Sequence, residues 1–296
     1  MSADHVSDNV TTLVLGGTGK TGRRVARRLA ALGRSVRVGS RRGTPPFDWE
    51  DEATWERALA DVGAVYVSYF PDIAIPGAAD RVDSFVKLAL KHGVRRLVLL
   101  SGRGEDEAER AERLVQTSGA DWTIVRASWF AQNFSESFLA SAVQAGEVVL
   151  PVGDVPEPFV DADDIADLAV AALTEDGHTG QLYEVTGPRM LTFADAVREV
   201  AVATGREIRY VQISPAAYRA ALADEGLPAG LVWLLDYLFA TVLDGRNAFV
   251  MDGVERVLGR PPRDFSDYVR NAAASGVWNV SSGARSVETE VSGAGT

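Results

Sequence analysis

The sequence predicts an α/β fold: a doubly wound parallel sheet followed by a smaller α-rich C-terminal lobe. Three observations carry that prediction. Short apolar runs alternate with amphipathic helical segments from residue 11 to about residue 128, the first run ends in a Gly-rich turn that opens a helix, and beyond residue 128 helical segments dominate. Strand–helix–strand repetition implies right-handed crossovers with helices on both faces of the sheet. A glycine turn after the first strand makes the arrangement Rossmann-type.

Taken in order, residues 11–15 are a β-branched and apolar run, a buried strand. A helix follows from Lys20 to about Leu32, with Val25, Leu29 and Leu32 at helical spacing, and Gly33 stops it. Residues 36–38 give the second strand and Ser40-Arg41-Arg42-Gly43 the loop behind it. Pro45 and Pro46 mark an irregular connection to a short helix over 53–60. The pattern continues with strand 64–68, helix 77–91, strand 96–101, a strongly charged helix over 105–117, and strand 122–126. After Ser128 a helix covers 135–145, Asp163 caps another that runs to Thr174, and a strand occupies 182–185. A helix over 193–204, apolar helical segments through 229–243 and a short helix over 253–258 complete the chain.

Composition bounds what such a fold does. The 296 residues are 46% hydrophobic and 24% charged, an ordinary globular balance. No run of eighteen apolar residues occurs and the first nine residues are polar, so neither a membrane partner nor a signal peptide is expected and the location predicted is the cytoplasm. The absence of cysteine excludes disulfides, thiolate nucleophiles and Cys-ligated metals. A formal charge of −11 argues against a nucleic-acid partner. The sequence holds three lysines (Lys20, Lys87, Lys91) and three histidines (His5, His92, His178), and no metal site is expected from them.

Gly16-Gly17-Thr18-Gly19-Lys20-Thr21-Gly22 lies between the first strand and its helix. A tight turn at Gly16, close backbone approach at Gly19 and helix–strand packing at Gly22 suit a dinucleotide diphosphate facing the helix N-terminus. A P-loop needs four residues between its first glycine and Gly-Lys-Ser/Thr, and Gly19-Lys20-Thr21 comes too early for that. An acidic residue after the second strand would select NAD by its ribose hydroxyl. Ser40, Arg41 and Arg42 stand there instead and offer guanidinium donors to a 2′-phosphate, so NADP(H) is the expected cofactor, with Arg41 ahead of Arg42. The organisation read on this basis is a disordered terminus over 1–10, an NAD(P)-binding domain over 11–150 with an interleaved boundary, a substrate lobe with late sheet elements over 151–280, and a Ser/Gly-rich disordered tail over 281–296.

Many reductases on this fold donate a proton from a Tyr-x-x-x-Lys pair. Four residues before the three lysines stand Gly16, Asp83 and Lys87, so no such pair exists. His92 reads as a helix-end residue and His178 as a loop residue. Hydride transfer without that acid suits an electrophile that is already activated, an imine or iminium ion, and a quinone also accepts hydride with little acid help. Residues past the strand ends line the expected cleft: Tyr66, Tyr69, Phe70 and Pro71, then Ser101, then the run Ser128 to Phe134. Tyr69 and Ser101 are the candidate proton or hydrogen-bond donors, and Tyr69, Phe70, Trp129, Phe130 and Asn133 the candidate substrate pocket. Core packing explains Trp129, Phe130 and Phe134 equally well, helix capping explains Asn133, and capping also explains Asp161, Asp163 and Asp164.

Residues 16–22, 65–72, 94–101, 122–134 and 159–169 resemble the NmrA-like atypical short-chain dehydrogenases. Phe47-Asp48-Trp49, Trp129-Phe130-Ala131-Gln132-Asn133-Phe134 and Gly259-Arg260-Pro261-Pro262-Arg263-Asp264-Phe265 bring the resemblance closest to the festuclavine synthase and agroclavine dehydrogenase group of ergot alkaloid reductases, over roughly residues 11–280. The resemblance implies NADPH-dependent reduction of an iminium carbon without the Tyr–Lys pair, in secondary metabolism, with cofactor contacts at Gly16, Thr18, Gly19, Lys20 and Arg41. Substrate identity does not carry over. Two other readings stay open: an NADPH-dependent quinone or enone reductase, and a non-catalytic NADP(H)-binding redox sensor of NmrA type.

Overall fold

Leu13 and Leu15 of β1 (Thr11–Leu15) pack into one core while Val14 between them packs into another. That two-residue alternation is a strand covered on both faces. It repeats in β3 (Val62–Val67), where Val65 and Val67 oppose Ala64 and Tyr66, and in β4 (Arg96–Gly102), where Leu97 and Leu99 oppose Val98. With β2 (Val36–Gly39), β5 (Asp121–Ala127) and β7 (Gln181–Val185) these form a six-stranded sheet of order β2-β1-β3-β4-β5-β7, every neighbouring pair parallel. The order reverses direction at β1, which leaves a crevice at the carboxyl ends of β1 and β3. The structure, a computed structural model, describes residues 10–279, and the expectations for 1–9 and 280–296 lie outside the described residues.

One face of the sheet carries α2 (Trp55–Leu59), α3 (Ala78–Lys91) and α4 (Asp106–Gln116). Phe47, Trp49, Trp55 and Phe85 interlock there with ring centroids 5.1 to 6.2 Å apart, edge to face except for the stacked pair Phe47 and Trp55. The other face carries α1 (Gly22–Ala31) and α7 (Ala162–Thr174). Arg24 and Arg28 of α1 bridge to Asp163 and Asp167, and Arg260 and Arg263 close on Asp164 and Asp167 from the C-terminal segment. The acidic residues 161–167 therefore serve capping and interhelical ion pairs. The cap is Asp161, whose carboxylate accepts the Asp163 amide, and not Asp163 as expected.

The second lobe has its own core of Phe134, Phe159, Phe193, Phe239, Phe265 and Trp278. It is built from α5 (Asn133–Glu136), α6 (Leu139–Ala145), β6 (Glu147–Leu150), α8 (Phe193–Thr204), β8 (Arg209–Gln212), α9 (Pro215–Asp224), α10 (Ala229–Tyr237) and α12 (Phe265–Ala274), while α11 (Gly253–Leu258) packs on α7. The strands β6 and β8 pair in parallel, a two-stranded sheet the sequence does not announce. Each is only four residues long and holds its conformation through a partner some sixty residues away. The chain is interleaved, since 133–150 belongs to this lobe and α7 and β7 return to the main sheet.

Candidate active site

A cleft of about 630 Å³ opens at the carboxyl ends of the strands, between the sheet and the second lobe. Gly16, Thr18, Gly19, Lys20, Thr21, Ser40 and Arg41 line one end of it. Tyr69, Phe70, Ser101, Trp129, Phe130 and Asn133 line the rest. Two expected contacts fall outside. Arg42 is exposed and does not line the cleft, since it lies in the turn that the Gly43 amide closes by donating to the Ser40 carbonyl. Gly22 sits beneath the turn, where a Cβ would collide with the Gly16 carbonyl, so its part is to let the helix pack.

The glycine turn fits a dinucleotide on its own geometry. Gly16 has φ of +62°, Gly19 is open on its cleft side, and α1 begins just behind with no acidic residue in its first turn. Amide donors and the positive helix end thus face the space unopposed. Helix α1 begins at Gly22 rather than at Lys20, which leaves Lys20 in the turn itself. Burial holds the Lys20 ammonium below its usual range, with Glu136 and Asp72 pulling it back up. Glu136 of the second lobe also accepts both guanidinium nitrogens of Arg24, at 3.1 and 2.8 Å, and so ties that lobe to the turn. Beyond β2, Arg41 lies over the Phe70 ring at 5.3 Å from its centroid, and Phe70 is 59% exposed. Among the described residues no carboxylate pairs with Arg41, and an arginine so placed fits a phosphate.

The candidate donors fare differently. Tyr69 is 7% exposed, its ring 4.8 Å from that of Trp49, and burial raises its pKa against the charge of Arg81. The Ser101 hydroxyl donates to Glu112 Oε1 at 2.6 Å, so its hydrogen turns into the protein and not into the cleft, which corrects its assignment as a proton donor. Glu112 is itself locked by Arg126, which also reaches Glu184, and Arg103 bonds the same Glu184. Tyr66 is wholly buried under the sheet and lines no part of the cleft. His92 ends α3, as read, whereas the His178 ring meets the Tyr183 hydroxyl at 3.0 Å rather than standing in solvent.

On the aromatic wall, Trp129 packs on Phe193 and Phe239 yet keeps a face to the cleft, while Phe134 is pure core. Asn133 does not cap α5. Gln132 holds the cap position and spends its side chain on Asp161 and the Ala162 amide, so Asn133 is left facing the cleft. Two residues that sequence reasoning passed over also line it, Asp72 and Glu105. Burial raises both carboxyls above their usual range, Glu105 well above it with help from Asp72 and Glu112. The Glu105 Oε2 atom is sealed from water without a hydrogen-bond partner. Among the described residues no group of three or more His, Asp or Glu is placed to hold a metal, and no helix is long and apolar enough to cross a membrane.

Comparison with known proteins agrees with this geometry. Residues 46–176 match a family model described as NAD(P)H-binding. The chain is 33% identical to an NAD(P)H azoreductase of Xenophilus azovorans, covering 89% of this chain and 98% of that protein. It is 30% identical to the agroclavine dehydrogenase of Claviceps fusiformis, covering 88% and 96%. Its fold superposes on NmrA, a negative transcriptional regulator in complex with NAD, with a TM-score of 0.69 at 15% identity over 93% of this chain and 100% of that one. From the parallel sheet, the glycine turn and these relatives together, the chain belongs to the family of NAD(P)H-binding reductases that includes this azoreductase and this agroclavine dehydrogenase, and is an NAD(P)H-dependent oxidoreductase.

Proposed function

We propose that the protein reduces the C=N bond of an imine or iminium in a small molecule of secondary metabolism, with NADPH as reductant. The observation that carries this reading is the Ser101–Glu112 hydrogen bond. It removes the hydroxyl at the end of β4 as a proton source, and Tyr69, whose pKa burial raises despite the opposing charge of Arg81, is a poor acid. Neither is a ready proton source for a ketone oxygen, whereas an iminium carries its charge beforehand. The agroclavine dehydrogenase relative supports the same reading.

In this arrangement Gly16, Thr18, Gly19, Lys20 and Thr21 hold the diphosphate, and Ser40 and Arg41 hold the 2′-phosphate. The bound NADPH supplies a hydride. Trp129, Phe130, Phe70 and Tyr69 clasp the substrate's apolar body and exclude water, and Asn133 orients a polar group on it. The azoreductase relative and the aromatic wall favour a second reading, reduction of flat neutral acceptors such as quinones or enones. Following NADPH absorbance with panels of cyclic imines and of quinones separates the two. Faster turnover of imines supports the proposal, turnover of quinones alone replaces it, and tight NADPH binding with no turnover of either points to a redox sensor.

A further inference from the structure

Glu105 precedes α4 and stands at the N-cap position, yet its side chain makes no capping bond. It folds back onto β4 instead, so that its carboxyl lies against Gly102, where any Cβ would collide with it. One oxygen, Oε2, is sealed without a partner, the other is not sealed, and the residue lines the cleft beside Ser101 and Asp72. The groups acting on it are Asp72 from the loop after β3, Glu112 from α4 and Tyr237 from α10. Tyr237 accepts the Asp106 amide, and Arg246 spends its nearby guanidinium on Asp244 and the Gly104 carbonyl. The Lys20 charge acts on Glu136 and Asp72. Among the described residues no cation neutralises Glu105 and no donor reaches either oxygen, so burial beside the Asp72 and Glu112 carboxyls favours its protonated form.

We propose that Glu105 is the acid that protonates a bound neutral imine, generating the iminium inside the cleft. This rests on the C=N reading above. The Glu105 O–H bond breaks as an N–H bond forms on the imine nitrogen, which leaves a carboxylate paired with the iminium. The imine carbon then accepts the hydride, and the C=N π pair becomes the nitrogen lone pair of a neutral amine. Water returns a proton to Glu105. The balance is imine, NADPH and one proton giving amine and NADP⁺.

The test compares a neutral cyclic imine, 3,4-dihydroisoquinoline at a pH where it is unprotonated, with its N-methyl iminium salt, which needs no proton. Glu105→Gln keeps the shape of the protonated acid and a hydrogen-bond donor but has no acidic proton to give. It lowers kcat for the imine about 100-fold or more, and this loss exceeds the loss on the iminium at least about thirtyfold. In the unaltered enzyme, kcat for the imine falls as pH rises through the Glu105 titration while the iminium profile stays flat. Equal losses on both acceptors, or parallel pH profiles, overturn Glu105 as the acid and leave C=N reduction standing. No turnover of either acceptor by the unaltered enzyme removes both.

Discussion

Gly19 and Gly22 look alike in the sequence, yet the structure assigns them opposite sensitivities. A Cβ on Gly22 would sit 2.6 Å from the Gly16 carbonyl carbon and 2.9 Å from the Gly17 Cα, all rigid backbone. Ordinary carbon contacts begin near 3.5 Å, so the turn must retreat by roughly 1 Å. Overpacking of that kind costs about 1–3 kcal/mol, and at ~2–4 °C per kcal/mol Gly22→Ala lowers Tm by roughly 2–12 °C. A Cβ on Gly19 meets only the Gly16 carbonyl oxygen, at 3.2 Å, and otherwise open cleft. Gly19→Ala therefore keeps Tm within about 1–2 °C but places a methyl where the diphosphate must approach, weakening NADPH about tenfold or more. Thermal melts without cofactor and calorimetric titration with NADPH read the two effects separately. Wild-type NADPH affinity in Gly19→Ala, or a wild-type Tm in Gly22→Ala, refutes the division of labour between the two glycines.

Arg41→Ala removes an exposed charge-assisted contact, so NADPH binding weakens about tenfold while NADH is unchanged, and equal loss for both cofactors in parallel titrations defeats the 2′-phosphate assignment. Arg126→Met leaves Glu112, 2% exposed, as a buried unpaired carboxylate and costs about 3–5 kcal/mol in denaturant unfolding, and a loss below ~1 kcal/mol shows the network to be dispensable. Glu157 is fully buried with both oxygens unpartnered, and burial pushes its carboxyl up to about 8 from an ordinary 4.5, Arg103 opposing. Between those values the folded state holds a proton that the unfolded state has released, so this group's stabilisation is present below about pH 4.5 and is lost as pH rises to about 8, a fall of ~5 kcal/mol. Glu157→Gln removes that fall, and melting curves from pH 5 to 9 that run parallel for variant and wild type contradict it.

The sheet was legible because each strand announces itself locally: Leu13, Val14 and Leu15 need no distant partner to read as a buried strand. The glycine turn was legible for the same reason, since Gly16, Gly19 and Gly22 each answer a local steric need. The small sheet was not, because Glu147–Leu150 is a strand only by pairing with Arg209–Gln212. Helix α9 carried an unused signal, Ser214 capping and Pro215 at its first turn. Ser101 was found by its place at the end of β4, but its hydrogen's direction depends on Glu112, eleven residues on. Glu105 read as the first residue of a charged helix. What sets it apart is burial against Gly102 and the company of Asp72, and neither shows in local spacing.

The most direct test of C=N reduction is the fate of the hydride. Incubating the enzyme with NADPH deuterated at the transferable C4 position and a cyclic imine should yield amine carrying one deuterium on the former imine carbon, with NADPH consumed in equal amount. Amine without deuterium, or NADPH that binds tightly and is not consumed by any imine, contradicts the account.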